Sequence, residues 1–285
     1  MNPIVSMRWL LARLYEPDLV IVDCRFELAS PLAGRHAYET SRIPGARYLD
    51  LEADLSAPVE QHGGRHPLPT AEALTATFSK AGIHPDSRVV AYDNQGGAMA
   101  SRAWWLLNYM GHERVFVLDG GFAAWQQAGY PVEEGEPVIG IPAQFAGEPQ
   151  PEWLADMNEV QAVADQAMNS VEASTLLIDS REYKRFIGEE EPIDSVAGHI
   201  PGARHYFWKD NLNEQGQWKS GDELADRFHA LPKDSEVIVY CGSGVTACPN
   251  VLALKQAGFE RVRLYAGSWS DWISYSENPI ATGEE

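Results

Sequence analysis

The sequence predicts an α/β protein made of two copies of one domain, each a mainly parallel sheet flanked by helices. Three observations lead there. One ordered set of motifs occurs twice along the 285 residues. Within each copy, short apolar runs alternate with longer amphipathic stretches, as expected of strands buried on both faces by crossover helices. The main helical stretch of each copy closes on a glycine, Gly111 or Gly258, the usual residue just past a helix C-terminus.

The first copy reads LVIVDCR, then SRIPGARYLDL, then SRVVAYDNQGG and VFVLDGGFAAW; the second reads TLLIDSR, GHIPGARHYFW, SEVIVYCGSGVTACP and VRLYAGSWSDW. Asp23 and Arg25 match Asp179 and Arg181, and Ile43–Arg47 matches Ile200–Arg204. Gly120, Phe122 and Trp125 match Gly267, Trp269 and Trp272. Leu19–Asp23, Val89–Tyr92 and Val115–Leu118 are expected as buried strands, as are Leu176–Asp179, Val237–Tyr240 and Val262–Tyr265. Ala100–Met110, Phe122–Ala128 and Val251–Ala257 are expected as helices. Asp23-x-Arg25 and Asp179-x-Arg181, being shared, are read as structural pairs.

Between the copies the chain carries Pro131, Pro137, Pro142, Pro149 and Pro151 and no sustained apolar period, which signals a connection. The expected domains are 1–133, a linker over 134–152 with the boundary near residue 145, and 153–285.

Composition is that of a globular protein, 45% hydrophobic and 22% charged. No apolar stretch has the length to span a bilayer. The first twenty residues place Arg8 and Arg13 inside their apolar part, unlike a secretory signal, so the protein reads as cytoplasmic. The formal net charge of -19 argues against nucleic acid and anionic membrane surfaces as partners. It also requires any anion site to be locally positive. The three cysteines, Cys24, Cys241 and Cys248, form neither a disulfide framework nor a zinc-spaced cluster. No metal or organic cofactor is implied.

The copies differ where chemistry is expected. The strand Val237–Tyr240 runs into Cys241, whereas its counterpart ends at Asp93. Gly242-Ser243-Gly244-Val245-Thr246-Ala247 follow the cysteine, and a helix is expected to start around Thr246–Cys248, with Pro249 in its first turn. The equivalent loop after Asp93 reads as one residue longer. Ligands of parallel sheets bind at the carboxyl ends of strands. Two glycines let such a loop curl and turn successive N–H groups inward, and the helix start adds its own positive pole. A thiol there is expected to ionise near neutrality, and the same N–H groups suit a persulfide anion. Cys24 is expected in the core, and Cys248 as a packing residue rather than a resolving thiol.

With both IPGA segments, Gly64-Arg65-His66-Pro67-Leu68-Pro69, the loop CGSGVTA and the terminal YAGSWSDW, the chain resembles the tandem rhodanese-like sulfurtransferases over nearly its whole length. The resemblance implies a non-catalytic first domain with an aspartate at the cysteine position, as at Asp93, and a catalytic second domain. It implies a ping-pong cycle in which Cys241 takes sulfur from a small anionic donor as a persulfide and passes it to cyanide, a thiol or a protein. The loop Cys-Gly-Ser-Gly-Val-Thr is that of the 3-mercaptopyruvate branch; thiosulfate is the alternative donor. Arg185 matches the family's substrate-binding arginine, and the first half has Ala29 at the corresponding position. Its planar fork suits a carboxylate or a pair of thiosulfonate oxygens. The substrate-binding set is therefore Arg185, Gly242, Ser243, Gly244, Val245 and Thr246, with Ser243 placed to polarise the donor carbonyl or its own thiol.

Two departures from the family pattern stand out. The second arginine that the mercaptopyruvate branch carries after the Glu-Pro is absent, the chain having Pro192-Ile193-Asp194, closer to the thiosulfate branch. The histidine before the first IPGA segment, which in the family joins a loop serine in a relay, is Arg42. Either the relay is dispensable, or His66 or Arg42 takes another role. Cysteine-dependent phosphatases share the strand–loop–helix plan but need an arginine six residues past the cysteine, where this chain has Ala247. A non-catalytic binding module is the remaining alternative.

Overall fold

A computed structural model describes residues 2–136, 140–171 and 174–284. The chain divides into two compact units. The first comprises the residues up to Ala57, Pro69–Gln150 and Leu212–Trp218. The second comprises Pro58–Leu68, Pro151–Asn211 and the residues from Lys219 on.

The first unit runs β1 (Ile4–Val5), α1 (Met7–Leu11), β2 (Leu19–Asp23), α2 (Ala33–Thr40), β3 (Ser41–Arg42), β4 (Arg47–Tyr48), α3 (Ala71–Lys80), β5 (Arg88–Tyr92), α4 (Ala98–Tyr109), β6 (Val115–Leu118), α5 (Gly121–Gln127) and β7 (Glu133–Glu134). Its sheet has the order β1-β6-β5-β2-β4, every pair parallel. The second unit runs β8 (Leu154–Ala155), α6 (Met157–Met168), β9 (Thr175–Asp179), α7 (Tyr183–Phe186), β10 (Ala203–His205), α8 (Gly221–Arg227), β11 (Glu236–Tyr240), α9 (Cys248–Gln256), β12 (Val262–Tyr265) and α10 (Ser268–Trp272). Its sheet, β10-β9-β11-β12-β8, is also parallel throughout. Matching strands occupy matching places, so the duplication in the sequence is a duplication of fold. The six strands expected from apolar runs are present, three with one added residue at the start.

Each core is built on that sheet. Leu10, Ile21, Val90, Tyr92, Phe122 and Trp125 cluster in the first unit; Val160, Leu177, Ile238, Tyr240, Trp269 and Trp272 cluster in the second. The repeated Asp-x-Arg pairs are buried salt bridges. Arg181 Nη2 donates to Asp179 Oδ2 at 2.6 Å and to the Gly198 carbonyl at 2.6 Å, and Arg25 does the same with Asp23 and the Ser41 carbonyl. Each guanidinium lies over an aromatic ring, Phe122 or Trp269. Burial opposes the charge of Arg181, but the Asp179 carboxylate outweighs it and holds the arginine above its ordinary pKa. These clusters fix the carboxyl end of each central strand, because Asp23 pairs with Tyr92 and Asp179 with Tyr240 across the ladder.

The stretch expected as a linker includes Pro137, Val138 and Ile139, which lie outside the described residues. Glu133 and Glu134 form β7 against β3. Phe145 is buried against Phe78, and the Gln150 N–H donates to the Tyr109 carbonyl, so the stretch runs along the first unit.

The two strand-to-helix loops correct one expectation. Helix α4 starts at Ala98, five residues past Asp93, whereas α9 starts at Cys248, seven past Cys241. The loop after the aspartate is the shorter, and the additional residue of the first half lies within the helix. The cause is capping. Asp93 Oδ1 accepts the N–H groups of Gln95 and Gly97, and Oδ2 those of Met99 and Ala100, all at 2.8–2.9 Å. The carboxylate thus winds the helix back to the strand end. Cys241 offers no such acceptor, and Pro249 has no N–H to be capped.

Two outcomes follow for the first unit. Asp93→Ala orphans four N–H groups, those of Gly97 and Ala100 buried, and is expected to cost about 3 kcal/mol of stability in urea unfolding. His112, in the turn after α4, is buried, its Nε2 has no partner among the described residues, and burial holds it below the ordinary histidine value of 6.5. The unfolded chain therefore takes up that proton first. His112's contribution is complete above pH 6.5 and declines as the pH falls through that value. The urea midpoint should drop less steeply with acid in His112→Gln than in the parent.

Candidate active site

The site residues expected from the sequence fall together in the second unit. Cys241 follows β11, and its residue is 1% exposed. Its backbone is held by the start of α10. The Cys241 N–H donates to Ser268 Oγ at 3.1 Å, and its carbonyl accepts the Trp269 N–H at 3.0 Å. The Gly242 carbonyl accepts the Ser270 N–H at 2.9 Å. The N–H groups of Gly242, Ser243, Val245, Thr246 and Ala247 have no acceptor among the described residues. They line the stretch between the cysteine and the positive end of α9, an arrangement that favours an anion.

The loop's sequence follows from its crowding. Gly244 has φ +75, and a Cβ there would lie 2.2 Å from the Ala266 carbonyl oxygen, so only glycine fits. Val245 is buried and Thr246 half-buried at the turn into the helix. Cys248 Sγ donates to the Gly244 carbonyl at 3.3 Å and is fully buried. Its thiol braces the loop, in line with a packing residue. Cys24, one residue beyond β2, is likewise buried, and burial drives its thiol pKa well up.

Ser268 has φ 57, a region that non-glycine residues avoid. Its counterpart in the first unit is Gly121, with φ +61. A serine is kept in a backbone that suits glycine, and its hydroxyl, which also donates to the Tyr265 carbonyl at 2.9 Å, is the acceptor for the Cys241 amide.

Side chains from three segments converge on the loop. Ser243 Oγ is 2.8 Å from His66 Nδ1, and both residues are buried. Of the two residues considered for the relay, His66 is therefore the one at the loop. Arg42 lies in the first unit, donating to Glu133 and to the carbonyls of Tyr38 and Gly135. Arg185 Nε donates to Glu191 Oε2 at 2.9 Å and Nη2 to Asp194 Oδ2 at 3.0 Å. Arg65 Nη1 donates to Asp194 Oδ1. A Cβ built on Gly242 would lie 3.0 Å from Arg65 Nη2, 3.5 Å from Arg185 Nη2 and 3.7 Å from Asp194 Oδ2. Both guanidiniums therefore stand over the residue next to the cysteine. Burial lowers the pKa of Arg65. Among the described residues no group of three or more His, Cys, Asp or Glu is placed to hold a metal ion.

Sequence reasoning missed Arg65, Ser268 and Asp194 as parts of the site. For Arg65 a signal existed. The connection from IPGA to the next strand is longer in the first half, and its extra length includes Gly64-Arg65-His66. Ser268 was visible as the serine facing Gly121 in the repeat. Asp194 appeared only as a missing arginine.

A duplicated parallel α/β domain, with a cysteine at the end of one central strand and a carboxylate at the other, defines the class. The model of the rhodanese-like domain matches residues 6–128 and 160–275, and the chain belongs to that family. It is 47% identical over 99% of its length, and 98% of the relative's, to a Pseudomonas aeruginosa protein named "Probable 3-mercaptopyruvate sulfurtransferase". It is 32% identical to thiosulfate/3-mercaptopyruvate sulfurtransferase 1, mitochondrial, of Arabidopsis thaliana, covering 99% of this chain and 79% of that one. Its fold is similar to the crystal structure of SseA from Escherichia coli, described as a 3-mercaptopyruvate sulfotransferase, with TM-score 0.79, 32% identity, and coverage of 95% of this chain and 100% of that one.

Ser268→Ala is expected to leave the Cys241 amide without its acceptor in a strained backbone. Stability should fall by roughly 1–3 kcal/mol. The rate of sulfur transfer should fall through kcat with KM little changed, because the substitution disturbs the Cys241 backbone and leaves Arg65 and Arg185 in place; steady-state kinetics on both parameters checks this.

Proposed function

We propose that the protein is a sulfurtransferase that takes sulfur from 3-mercaptopyruvate onto Cys241 and hands it to a thiophilic acceptor. The observation that carries this reading is the contrast between the two loops. In the first unit the loop amides close on the protein's own Asp93 carboxylate. In the second, the strand ends in a thiol, and the N–H groups of Gly242, Ser243, Val245, Thr246 and Ala247 have no acceptor among the described residues. The carboxyl oxygens of an aspartate stand as many bonds from Cα as the terminal sulfur of a cysteine persulfide. A charge built into one copy is thus replaced in the other by one that arrives and leaves with the reaction.

Two half-reactions follow. The Cys241 thiolate attacks the donor's thiol sulfur, and an S–S bond forms as the donor's C–S bond breaks. The released electron pair becomes the enolate of pyruvate, which takes up the thiol proton at carbon. Ser243, oriented by His66, is placed to donate to the enolate oxygen as charge develops there. Arg185, with Arg65 beside it, binds the donor carboxylate, and the N–H groups of Gly242, Ser243, Gly244, Val245 and Thr246 surround the persulfide. In the second half, cyanide, a thiolate or a protein thiolate attacks the terminal sulfur, the S–S bond breaks, and Cys241 is regenerated. Each step moves one electron pair between sulfur and a nucleophile, so the chemistry calls for no metal or organic cofactor.

The roles divide as residues 1–133, a non-catalytic domain, a linker over 134–152, and a catalytic domain over 153–285, with the segment from Pro58 to Leu68 supplying Arg65 and His66 to the catalytic unit. Among the described residues no helix is long and apolar enough to cross a membrane. The acidity of the chain supports the absence of nucleic acid from its partners.

Treatment with mercaptopyruvate is expected to add one sulfur to the mass of the parent protein and none to Cys241→Ser. With cyanide as acceptor, kcat/KM should be higher for mercaptopyruvate than for thiosulfate. Absence of the added sulfur with both donors would remove the proposal.

A further inference from the structure

The segment from Pro58 to Leu68, which brings Arg65 and His66 to the loop, has no helix or strand of its own. This strap is held by side chains of α10 and of the turn after it. The Gly63 N–H donates to Asp271 Oδ1 at 2.7 Å, and the Arg65 N–H to Ser270 Oγ at 3.1 Å. His62 Nδ1 lies 2.8 Å from Ser274 Oγ, and its ring stacks on Tyr275 with centroids 4.0 Å apart. The strap lies flush on the helix start. A Cβ on Gly64, whose φ is +80, would run into the Gly267 carbonyl and come within 2.8 Å of Ser270 Oγ. Asp271 is 7% exposed, and its other oxygen accepts the Tyr265 hydroxyl at 2.7 Å. One buried carboxylate thus ties the strap to the end of β12. The first unit shows the same face without this task. Ser270, Asp271, Ser274 and Tyr275 correspond there to Ala123, Ala124, Gln127 and Ala128, and Tyr265 to Leu118. That face of the first unit borders a cleft of about 520 Å³. The paired carboxylate and serine acceptors belong only to the copy that carries Cys241.

We infer that Asp271 is a positioning residue for sulfur transfer: through the Gly63 N–H it sets where Arg65 and His66 stand relative to Cys241. The inference rests on the proposed role of Cys241 as sulfur carrier and goes beyond it by naming the group that joins the two parts of the site. The first residues of α10 hold the backbone of Cys241 and Gly242. Asp271, within the same short helix, holds the strap. A single turn of helix is therefore the common reference for the nucleophile and for the groups that meet the donor. Arg65 and His66 follow Gly63 closely, so a shift of the strap at Gly63 moves the guanidinium and the imidazole together. A displacement of about 1 Å in such a group is enough to lower a rate markedly. An ionised acceptor also makes the stronger hydrogen bond, in keeping with 2.7 Å at Asp271 against 3.1 Å at Ser270. The Asp271 carboxylate makes no bond to the Cys241 backbone, whose N–H and carbonyl go to Ser268 and Trp269. Its removal is therefore felt on the donor side of the reaction and not at the thiol.

The experiment compares Asp271→Ala, Asp271→Asn and Ser270→Ala with the parent in the full chain. It reads kcat/KM for mercaptopyruvate with cyanide as acceptor, the rate of Cys241 alkylation by iodoacetamide, and hydrogen exchange over residues 58–68. Asp271→Ala is expected to lower kcat/KM by about tenfold or more, the loss of one charge-assisted hydrogen bond. Exchange of the strap should quicken, while alkylation of Cys241 stays within about twofold of the parent. Asp271→Asn keeps an oxygen for the Gly63 N–H and should recover most of the loss. Ser270→Ala removes the second anchor without touching Asp271, and answers the question if Asp271→Ala does not fold; its kcat/KM should fall in the same direction with alkylation unchanged. Unaltered strap exchange, or quickened exchange with kcat/KM within about threefold of the parent, overturns the inference. So does alkylation that falls in step with kcat/KM, which would place the effect at the thiol. Calorimetric binding of pyruvate to Cys241→Ser, with and without Asp271→Ala, reads the donor side without turnover. Weakened binding there, with a parent that takes up no sulfur, would sink the proposed reaction and leave the positioning role standing. Unchanged binding in the presence of an active parent would do the reverse.

Discussion

The backbone of Cys241 is the constraint from which the rest of the site follows. A residue at the end of a central parallel strand has an N–H and a carbonyl that the ladder no longer serves. Here both are taken by the first residues of α10, the N–H by Ser268 and the carbonyl by Trp269. That attachment fixes the direction in which the chain leaves the strand. The N–H groups of Gly242, Ser243, Val245, Thr246 and Ala247 that follow have no acceptor among the described residues. The buried Asp179–Arg181 pair anchors the neighbouring strand at the same level. A thiol on this frame has little conformational freedom left to lose, which is what preorganisation requires of a nucleophile.

The two units show the same frame put to two uses. In the first, Asp93 satisfies four amides, and the helix winds tight against the strand. Buried charge is tolerated when it is fully hydrogen-bonded, and that unit gains a rigid capped turn from it. In the second, the same plan is left incomplete. Its loop is longer before the helix, five of its amides have no acceptor among the described residues, and Ser268 stands in a backbone conformation for which the first unit uses glycine. Local rules are broken on the side where chemistry is proposed, and kept on the side where the fold alone is at stake.

Much of this was legible in the sequence because buried parallel strands are continuous apolar runs and because the motif order occurs twice. Val115–Leu118 and Val262–Tyr265 could be placed to the residue. Cys241 stood out by comparison with Asp93, with no structure needed. What was not legible depends on groups far apart in sequence. The start of α4 is set by where the Asp93 carboxylate reaches, which periodicity does not carry, so the loop lengths came out in the wrong order. Arg42 and His66 were both open as partners of Ser243, since only folding shows that the segment from Pro58 to Leu68 packs with the second unit. Asp194 read as a departure from a pattern, because its meaning lies in the two arginines that it joins, one of them 129 positions away.

A chain of net charge -19 that handles anions faces a general difficulty, and the site meets it without a basic patch. Unpaired arginines beside the cysteine would attract any anion, including the wrong ones, and would be free to collapse onto the nearest carboxylate. Pairing them with Asp194 and Glu191 in a fixed turn removes that freedom and sets their position before the donor arrives. The cost is attraction, since a neutralised pair draws a donor less strongly from solution. The gain is geometry, because on the proposed reading the final step of binding is decided by short-range hydrogen bonds. Backbone amides complete the arrangement, since they stabilise an anion without titrating and without attracting a counter-ion of their own. Positive potential at this site is therefore a matter of how dipoles are aimed, not of how many basic residues the sequence contains.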